Sequence, residues 1–530
     1  MPKPNKVFEH YRRQIESSLI RRGYRIGERS RPRPTARTPQ SAQTATIDTV
    51  VENAMPEVKE PDMPVIRESK PQVSGSAPLR KIHNVYDTLE KRALYLSPVL
   101  DLCFSKDKDV NIDQAGTQTT ELAVEAYNSV KLFTLLTTII GDGRMLVAGP
   151  PGSGKTSTAT YVGSAMFNLL TDYVKKCTVL GHPEQTEEKM IAMFDPFSMM
   201  KGERKMIVRE WLRSPVKIID EINRLRPESM NILYELLQSG TVTYQGVVIK
   251  ARPGPLFATF NAADAANYEI APPVKDRFDV AVVAGSLNPW YVEMLTSMRG
   301  DSIRRNIPKI SLDDPMTPQD LAALQRGVSQ VEFPSSLMGR IAHFLAELQG
   351  CDMAGTTVER KNKGYLTEKR PPAVCADCTH YDQQNVICSK TENDIGTRTV
   401  QSIYVYSKAL ALWRGHSEVT EDDVKAVVPY ATWFKINPTR AALDLDPRFV
   451  NDRIGLMAEL YELAGKTYDQ ISNIMPEYKD LTSIVFSSMK NGSRPKTAKV
   501  EQLIGVAGQL DTPGKYPLIT QLKKLYHEAR

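Results

Sequence analysis

Residues 149–156 read Gly-Pro-Pro-Gly-Ser-Gly-Lys-Thr, directly after the apolar run Met145–Ala148 and directly before a stretch of helical spacing. Glycine tolerates positive φ, which lets consecutive backbone N–H groups wrap around an anion, and a helix opening at Lys155 adds the positive end of its dipole. Such a loop keeps its shape when a buried strand leads into it and a helix leaves it. The feature therefore commits this part of the chain to a layered α/β fold.

Apolar runs of strand type recur at Met145–Ala148, Cys177–Leu180, Val216–Ile219, Leu256–Phe260 and Val280–Ala284, with helical segments between them. Runs that are continuously apolar rather than alternating predict strands covered on both sides, hence a parallel sheet with helices on both faces. Helical patterning also precedes the first strand, beginning near Ile82 and predicting a helix over Gln118–Ile140.

The residues at the ends of these runs carry the chemistry. The pattern GxxxxGK[ST] over Gly149, Pro150, Pro151, Gly152, Ser153, Gly154, Lys155 and Thr156 is expected to cradle the phosphates of ATP, with Lys155 on the β/γ-phosphates and Thr156 on Mg²⁺. The run Val216–Ile219 ends in Asp220-Glu221, two carboxylates at the C-terminal end of a strand, where open α/β sheets bind ligands. Asp220 suits the Mg²⁺ shell and Glu221 the polarisation of the attacking water, since phosphoryl transfer needs positioning and charge neutralisation. Asn261 closes the run Leu256–Phe260 with an amide suited to orient a water or a phosphate oxygen. Arg277, in Asp276-Arg277-Phe278-Asp279, precedes the fifth strand at the sheet edge. It is either an arginine finger for a neighbouring subunit's nucleotide or the partner of a surface ion pair with Asp276 or Asp279.

With 530 residues the chain has room for several domains. It is expected to divide into a basic, Pro-rich disordered tail over 1–80, an α/β core over 81–290, an all-helical domain over 291–437 and a helical extension over 438–530. In the third of these, helices are expected near Pro318–Gln330, Ser336–Gln349, Thr399–Arg414 and Glu421–Ala431; in the last, around Val450–Ala464 and Tyr516–His527. Residues 1–23 have the spacing of a short basic amphipathic helix or a solvated end. The net charge of +6 is uneven: residues 1–40 hold eleven Lys and Arg against three Glu, which leaves −2 for the rest. No apolar run approaches the 18 or so residues of a bilayer span, and the start of the chain lacks the apolar core of a secretion signal, so a cytoplasmic protein with no membrane span is expected.

Six Cys in a chain this long do not make a disulfide scaffold. Four of them, Cys351, Cys375, Cys378 and Cys388, fall in a polar insertion over 351–393, and Cys375-x-x-Cys378 has zinc-knuckle spacing. A structural Zn²⁺ on four thiolates, with His380 as the substitute ligand for Cys351, would organise a loop that lacks a core. Unligated thiols and a redox pair are the alternatives. Cys103 and Cys177 sit among apolar residues and read as small core side chains.

Taken together, Asp220-Glu221-Ile222-Asn223-Arg224, Phe257-Ala258-Thr259-Phe260-Asn261 and Asp276-Arg277-Phe278 resemble the MoxR family of AAA+ ATPases, and are similar also to magnesium chelatase ATPase subunits. The resemblance extends through Met316-Thr-Pro-Gln-Asp-Leu-Ala-Ala-Leu-Gln, Gly396-Thr-Arg-Thr, Lys408-Ala-Leu-Ala-Leu-Trp-Arg-Gly and Val419-Thr-Glu-Asp-Asp-Val, and covers roughly residues 118–435. It implies a P-loop core with a five-stranded parallel sheet, a helical lid and sites shared between the subunits of a homo-oligomeric, hexameric ring. It further implies Asn261 as sensor 1, Arg277 as the trans finger, and Arg398, one turn into a lid helix, as sensor 2. Residues 186–211, with Met190, Met193, Met199, Met200 and Met206, look like the family's helix 2 insert over the ring pore, and Val242–Ile249 fits its hairpin before sensor 1. The tail, the Cys-bearing insertion and the last 90 or so residues depart from the family.

The resemblance implies a chaperone-like motor that remodels or matures a protein client, one with a von Willebrand A-type domain or a metal enzyme under assembly. A nucleic-acid translocase or helicase is the alternative from another class. The basic tail would serve it, but the −2 balance elsewhere argues against a motor channel. A chelatase-type motor that inserts a metal would use the same ATP site on a different client.

Overall fold

The computed structural model describes residues 77–91, 101–106, 123–202, 205–261, 270–285, 314–349, 387–474, 485, 496–509 and 515–529. All of them belong to the unit Pro71–Arg530. The tail through residue 76, including the amphipathic segment, and the insertion residues Cys351, Cys375, Cys378 and His380 lie outside the described residues.

Five strands build the central sheet: β1 (Arg144–Ala148), β2 (Thr178–Leu180), β3 (Lys217–Asp220), β4 (Leu256–Phe260) and β5 (Val280–Val283). They lie in the order β5-β1-β4-β3-β2 and every pair is parallel. Successive residues of each strand enter opposite layers: Met145, Val147, Phe257, Val280 and Val282 join one apolar cluster, and Leu146, Leu256, Ala258 and Ala281 the other. Two-sided burial is why these strands read as continuous apolar runs.

Helices α1 (Ala77–Lys91), α2 (Ser129–Ile140) and α3 (Lys155–Phe167) share the first layer, and α4 (Pro227–Ser239) belongs to the second. The expected helix over Gln118–Ile140 is half right. Ala123–Tyr127 is instead a strand paired antiparallel with Leu102–Lys106, and the helix begins at Ser129, where the Asn128 side chain accepts from the Lys131 N–H. The alternation in Ala-Val-Glu-Ala-Tyr is a strand pattern, and Asn128 is a helix cap that the periodicity runs past. The same pairing corrects Cys103: Leu102 faces the core and Cys103 is exposed, as the two-residue alternation of a strand demands, whereas Cys177 is buried as expected.

The helical domain comprises α5 (Pro318–Gln330), α6 (Ser335–Gln349), α7 (Thr397–Trp413) and α8 (Glu421–Thr432). Capping boxes at Thr317/Asp320 and Thr420/Asp423 set the starts of α5 and α8. It packs against the core's first layer, where Tyr406 and Trp413 are fully buried. Farther on, α9 (Arg453–Ile474) packs Leu456, Met457, Leu460, Tyr461 and Ala464 into that same first layer, and its last turns, with α10 (Thr497–Gly508) and α11 (Lys515–Ala529), form a separate small cluster around Tyr468, Val500, Leu503 and Leu522. Among the described residues no helix is long and apolar enough to cross a membrane.

Candidate nucleotide-binding and hydrolysis site

The strand order brings three loops together at the C-terminal edge of the sheet. Phe260 stands opposite Ala148 and Ala258 opposite Ile219, so Asn261 follows β4 between the glycine loop after β1 and Asp220 at the end of β3. This is the crevice in which open α/β sheets bind ligands.

Gly149, Gly152 and Gly154 adopt φ of 150°, 78° and 82°, and Gly154 caps α3 without a side-chain hydrogen bond to its first turn. The first N–H groups of α3 are thus left to an external acceptor, as phosphate binding requires. A β-carbon on Gly149 would lie 2.6 Å from the carbonyl oxygen of Ala284, so the backbone just after β5 demands glycine there. Lys155 is buried, and its Nζ donates to the carbonyl oxygens of Gly149 and Pro150, each at 2.7 Å. Burial lowers its pKa, while the charges of Asp220 and Glu221 act to raise it.

The hydroxyl of Thr156 donates to Asp220 Oδ1 at 2.5 Å, joining the loop to β3. The hydroxyl of Thr259 donates to the same oxygen at 2.5 Å and accepts from the Glu221 N–H at 3.0 Å. A carboxylate beside a hydroxyl at the mouth of a phosphate loop is a donor set that fits Mg²⁺, a hard cation that takes few protein oxygens and completes its shell with phosphate and water. Glu221 has φ of 55°, and Gly181, whose N–H donates to Asp220 O at 2.7 Å, packs so closely that a β-carbon there would lie 2.0 Å from Glu221 O. Glu221 Oε2 is 3.0 Å from Arg224 Nη1. Asn261 is buried and its carbonyl accepts from Asn223 Nδ2 at 3.0 Å. A cavity of about 240 Å³ lined by Thr156, Thr160, Tyr161, Lys175, Leu180 and Asp220 adjoins the Thr156–Asp220 pair.

Two arginines are placed differently from expectation. Arg277 does precede the edge strand β5, but it is only 6% exposed and pairs with neither Asp276 nor Asp279. Its guanidinium lies 3.5 Å from the centroid of the Tyr234 ring and donates to Gln238 Oε1 at 2.8 Å and to Pro273 O at 2.7 Å. Arg398 is the second residue of α7 rather than one turn in, and its Nη1 donates to Asp276 Oδ2 at 3.0 Å. In both cases a residue from a distant part of the chain captures the side chain.

Sequence reasoning passed over Thr259, Gly181, Tyr234 and Gln238. The one available signal was Thr259, a hydroxyl inside an otherwise apolar buried strand, two residues before Asn261. Of the proposed zinc ligands only Cys388 is described, in the short helix Ile387–Lys390. Among the described residues, no group of three or more His, Cys, Asp or Glu is arranged to hold a metal ion.

The Met-bearing segment folds as a short antiparallel pair, Ala192–Phe194 with Met206–Val208, around the helix Pro196–Met200. Met190 is buried, while Phe197 and Met200, at 77% and 86% exposure, stand in solvent. The segment Val242–Ile249 is the hairpin its pattern predicts, turning at Gln245-Gly246, both at positive φ.

Residues 144–278 match the family model of the AAA domain (dynein-related subfamily), and residues 384–443 match that of the AAA lid domain. No curated protein matches the chain. Among solved structures, it is similar to a candidate ATPase from Cytophaga hutchinsonii, at 16% identity and a TM-score of 0.47, over 72% of this chain and 96% of that one. An AAA+ core with a five-stranded parallel sheet is thus followed by a helical lid, and the chain is an ATP hydrolase.

Proposed function

We propose that the chain is a MoxR-type motor that hydrolyses ATP in a homo-oligomeric ring, a hexamer by family resemblance, to remodel or mature a protein partner in the cytoplasm. The observation that carries this reading is the hydrogen-bonded set Thr156–Asp220–Thr259, which joins the phosphate loop to the strand bearing both carboxylates. Residues 149–156 bind the phosphates, with Lys155 leaving its two loop carbonyls for phosphate oxygens. Thr156 and Asp220 hold Mg²⁺, which when bound neutralises the charge that develops between the β- and γ-phosphates. Glu221 draws a proton from the attacking water, Asn261 orients it, Arg277 serves the neighbouring subunit's nucleotide, and Arg398 reports the γ-phosphate to the lid.

The exposed Phe197, Met199 and Met200 supply adaptable apolar surface for a client, of the von Willebrand A class or a metal enzyme under assembly. The Cys375-x-x-Cys378 spacing supports a structural Zn²⁺ held with Cys351 and Cys388.

A Glu221→Gln variant tests the reading, because it should bind ATP and turn it over slowly. A specific protein recovered on it with ATP and not with ADP supports the remodelling motor and names its client. Nucleic acid retained on a variant lacking residues 1–40 points instead to a translocase, and a metal-free cofactor precursor to a chelatase-type motor.

A further inference from the structure

Arg277 stands between two acids that are both held by one lid helix. Asp276 Oδ2 accepts from Arg398, and Asp279 Oδ1 accepts from the Ser402 hydroxyl at 2.7 Å. Arg398 and Ser402 are four residues apart on α7 and share a face. The guanidinium of Arg277 points the other way, onto Tyr234 and Gln238, again four residues apart, on α4. One short segment therefore ties the lid to α4, and its arginine is turned inward within its own subunit.

The fit of that inward position is incomplete. Among the described residues, the buried Arg277 Nε has no hydrogen-bond partner, a donor that a fully settled guanidinium would satisfy. Tyr234 and Gln238 are themselves exposed, so they cover the arginine from the solvent side. A cation on an aromatic face, with one amide acceptor and one carbonyl, is an arrangement that can be left at modest cost.

We propose that Tyr234 and Gln238 are positioning residues that store Arg277 within its own subunit, and that lid movement carried by Asp276 and Asp279 releases it to the neighbouring nucleotide. The inference rests on the reading of Arg277 as a finger acting between subunits. The stored fraction of Arg277 then limits turnover but not ATP binding, because among the described residues the ring contact of Tyr234 and the hydrogen bond of Gln238 reach Arg277 rather than the phosphate loop or Asp220. Loosening the store raises kcat at constant KM, and tightening it lowers kcat at constant KM.

The test uses the assembled full-length protein and steady-state ATP turnover. Gln238→Ala removes one acceptor and should raise kcat about threefold or more with KM unchanged. Gln238→Glu places a carboxylate against the guanidinium and should lower kcat by a similar factor. Gln238 is exposed, so a folding defect is not expected in either variant, and a melting curve checks this. In an Arg277→Ala background neither substitution should change what remains of turnover. Opposite effects of the two variants, absent in that background, support storage. If Arg277→Ala abolishes turnover while both Gln238 variants leave kcat unchanged or lower it alike, storage is wrong and the finger reading stands. Wild-type turnover by Arg277→Ala itself overturns both.

Discussion

Asp276 Oδ2 lies 3.0 Å from Arg398 Nη1, a contact between residues 122 positions apart that joins the segment leading into the edge strand β5 to the opening turn of α7. Three residues further on, Asp279 is half-buried at the same core–lid boundary, where it accepts from Ser402 and from the Arg144 N–H. Burial raises the pKa of Asp279, and these hydrogen bonds act to lower it. Farther along the boundary, Trp433 Nε1 donates to the carbonyl of Ala281 at 2.7 Å, capping part of the open edge of β5. Lid and core thus meet through polar contacts of defined direction as well as through the shared apolar layer.

The Asp276–Arg398 pair is partly exposed on both sides, at 37% and 42%, and pairs of that kind contribute about 0–1 kcal/mol to stability. Arg398→Ala should therefore leave the melting temperature within a few degrees of wild type. Turnover should fall by roughly an order of magnitude or more, with nucleotide affinity changed far less. Parallel calorimetry and ATPase assays decide between this and a purely structural role, for which the two losses would track each other.

Thr259→Val preserves shape in β4 but removes the hydroxyl that serves Asp220 and the Glu221 N–H together. Asp220 Oδ1 keeps its bond from Thr156, but the Glu221 N–H loses its acceptor, which should cost roughly 1–3 kcal/mol of stability. A fall in kcat of about tenfold or more is expected with it, as Glu221 loses its fixed position. Thr259→Ser, which keeps the hydroxyl, should recover most of both in the same denaturation and turnover measurements.

At Gly181 the crowding is against backbone rather than a flexible side chain. A β-carbon there would stand 2.0 Å from Glu221 O, so Gly181→Ala must displace the turn that carries the proposed base. ATP binding, measured by titration calorimetry on the intact protein, should be weakened much less than kcat. Equal loss of both would mean that the turn at Glu221 is not where the displacement is taken up.

His343 gives the lid a pH dependence. Burial pushes its imidazole down to about 4 from the ordinary 6.5, and desolvation prevails even though Glu347 Oε1 lies 4.0 Å away. The folded state accepts the neutral ring, whereas the unfolded chain takes up a proton below about pH 6.5. The contribution is complete above that pH and is lost as the pH falls from about 6.5 through about 4, by ~3 kcal/mol in all. Denaturant midpoints from pH 7 to 4.5 should show a steeper decline for wild type than for His343→Gln, and superimposable slopes would refute the assignment.

Much of the core could be read along the chain because its signals are local. Strands covered on both faces announce themselves as apolar runs, and all five predicted runs coincide with β1–β5 to within a residue. The phosphate loop and Asp220-Glu221 are contiguous motifs at strand ends, and Thr317 and Thr420 mark two lid helices through caps that span three residues. Ala123–Tyr127 was lost because five residues of alternation were absorbed into the stronger helical period that follows Asn128.

By itself the sequence determined the order of strands and helices, the glycines that must take positive φ, and which carboxylates stand at the mouth of the sheet, since each depends on neighbours within a few positions. Where Arg277 and Arg398 point was decided only by the tertiary structure. A guanidinium on a long, flexible stem goes to whatever acceptors and ring faces packing brings within reach, and Tyr234, Gln238 and Asp276 reach those arginines only through the folded arrangement of α4, β5 and α7.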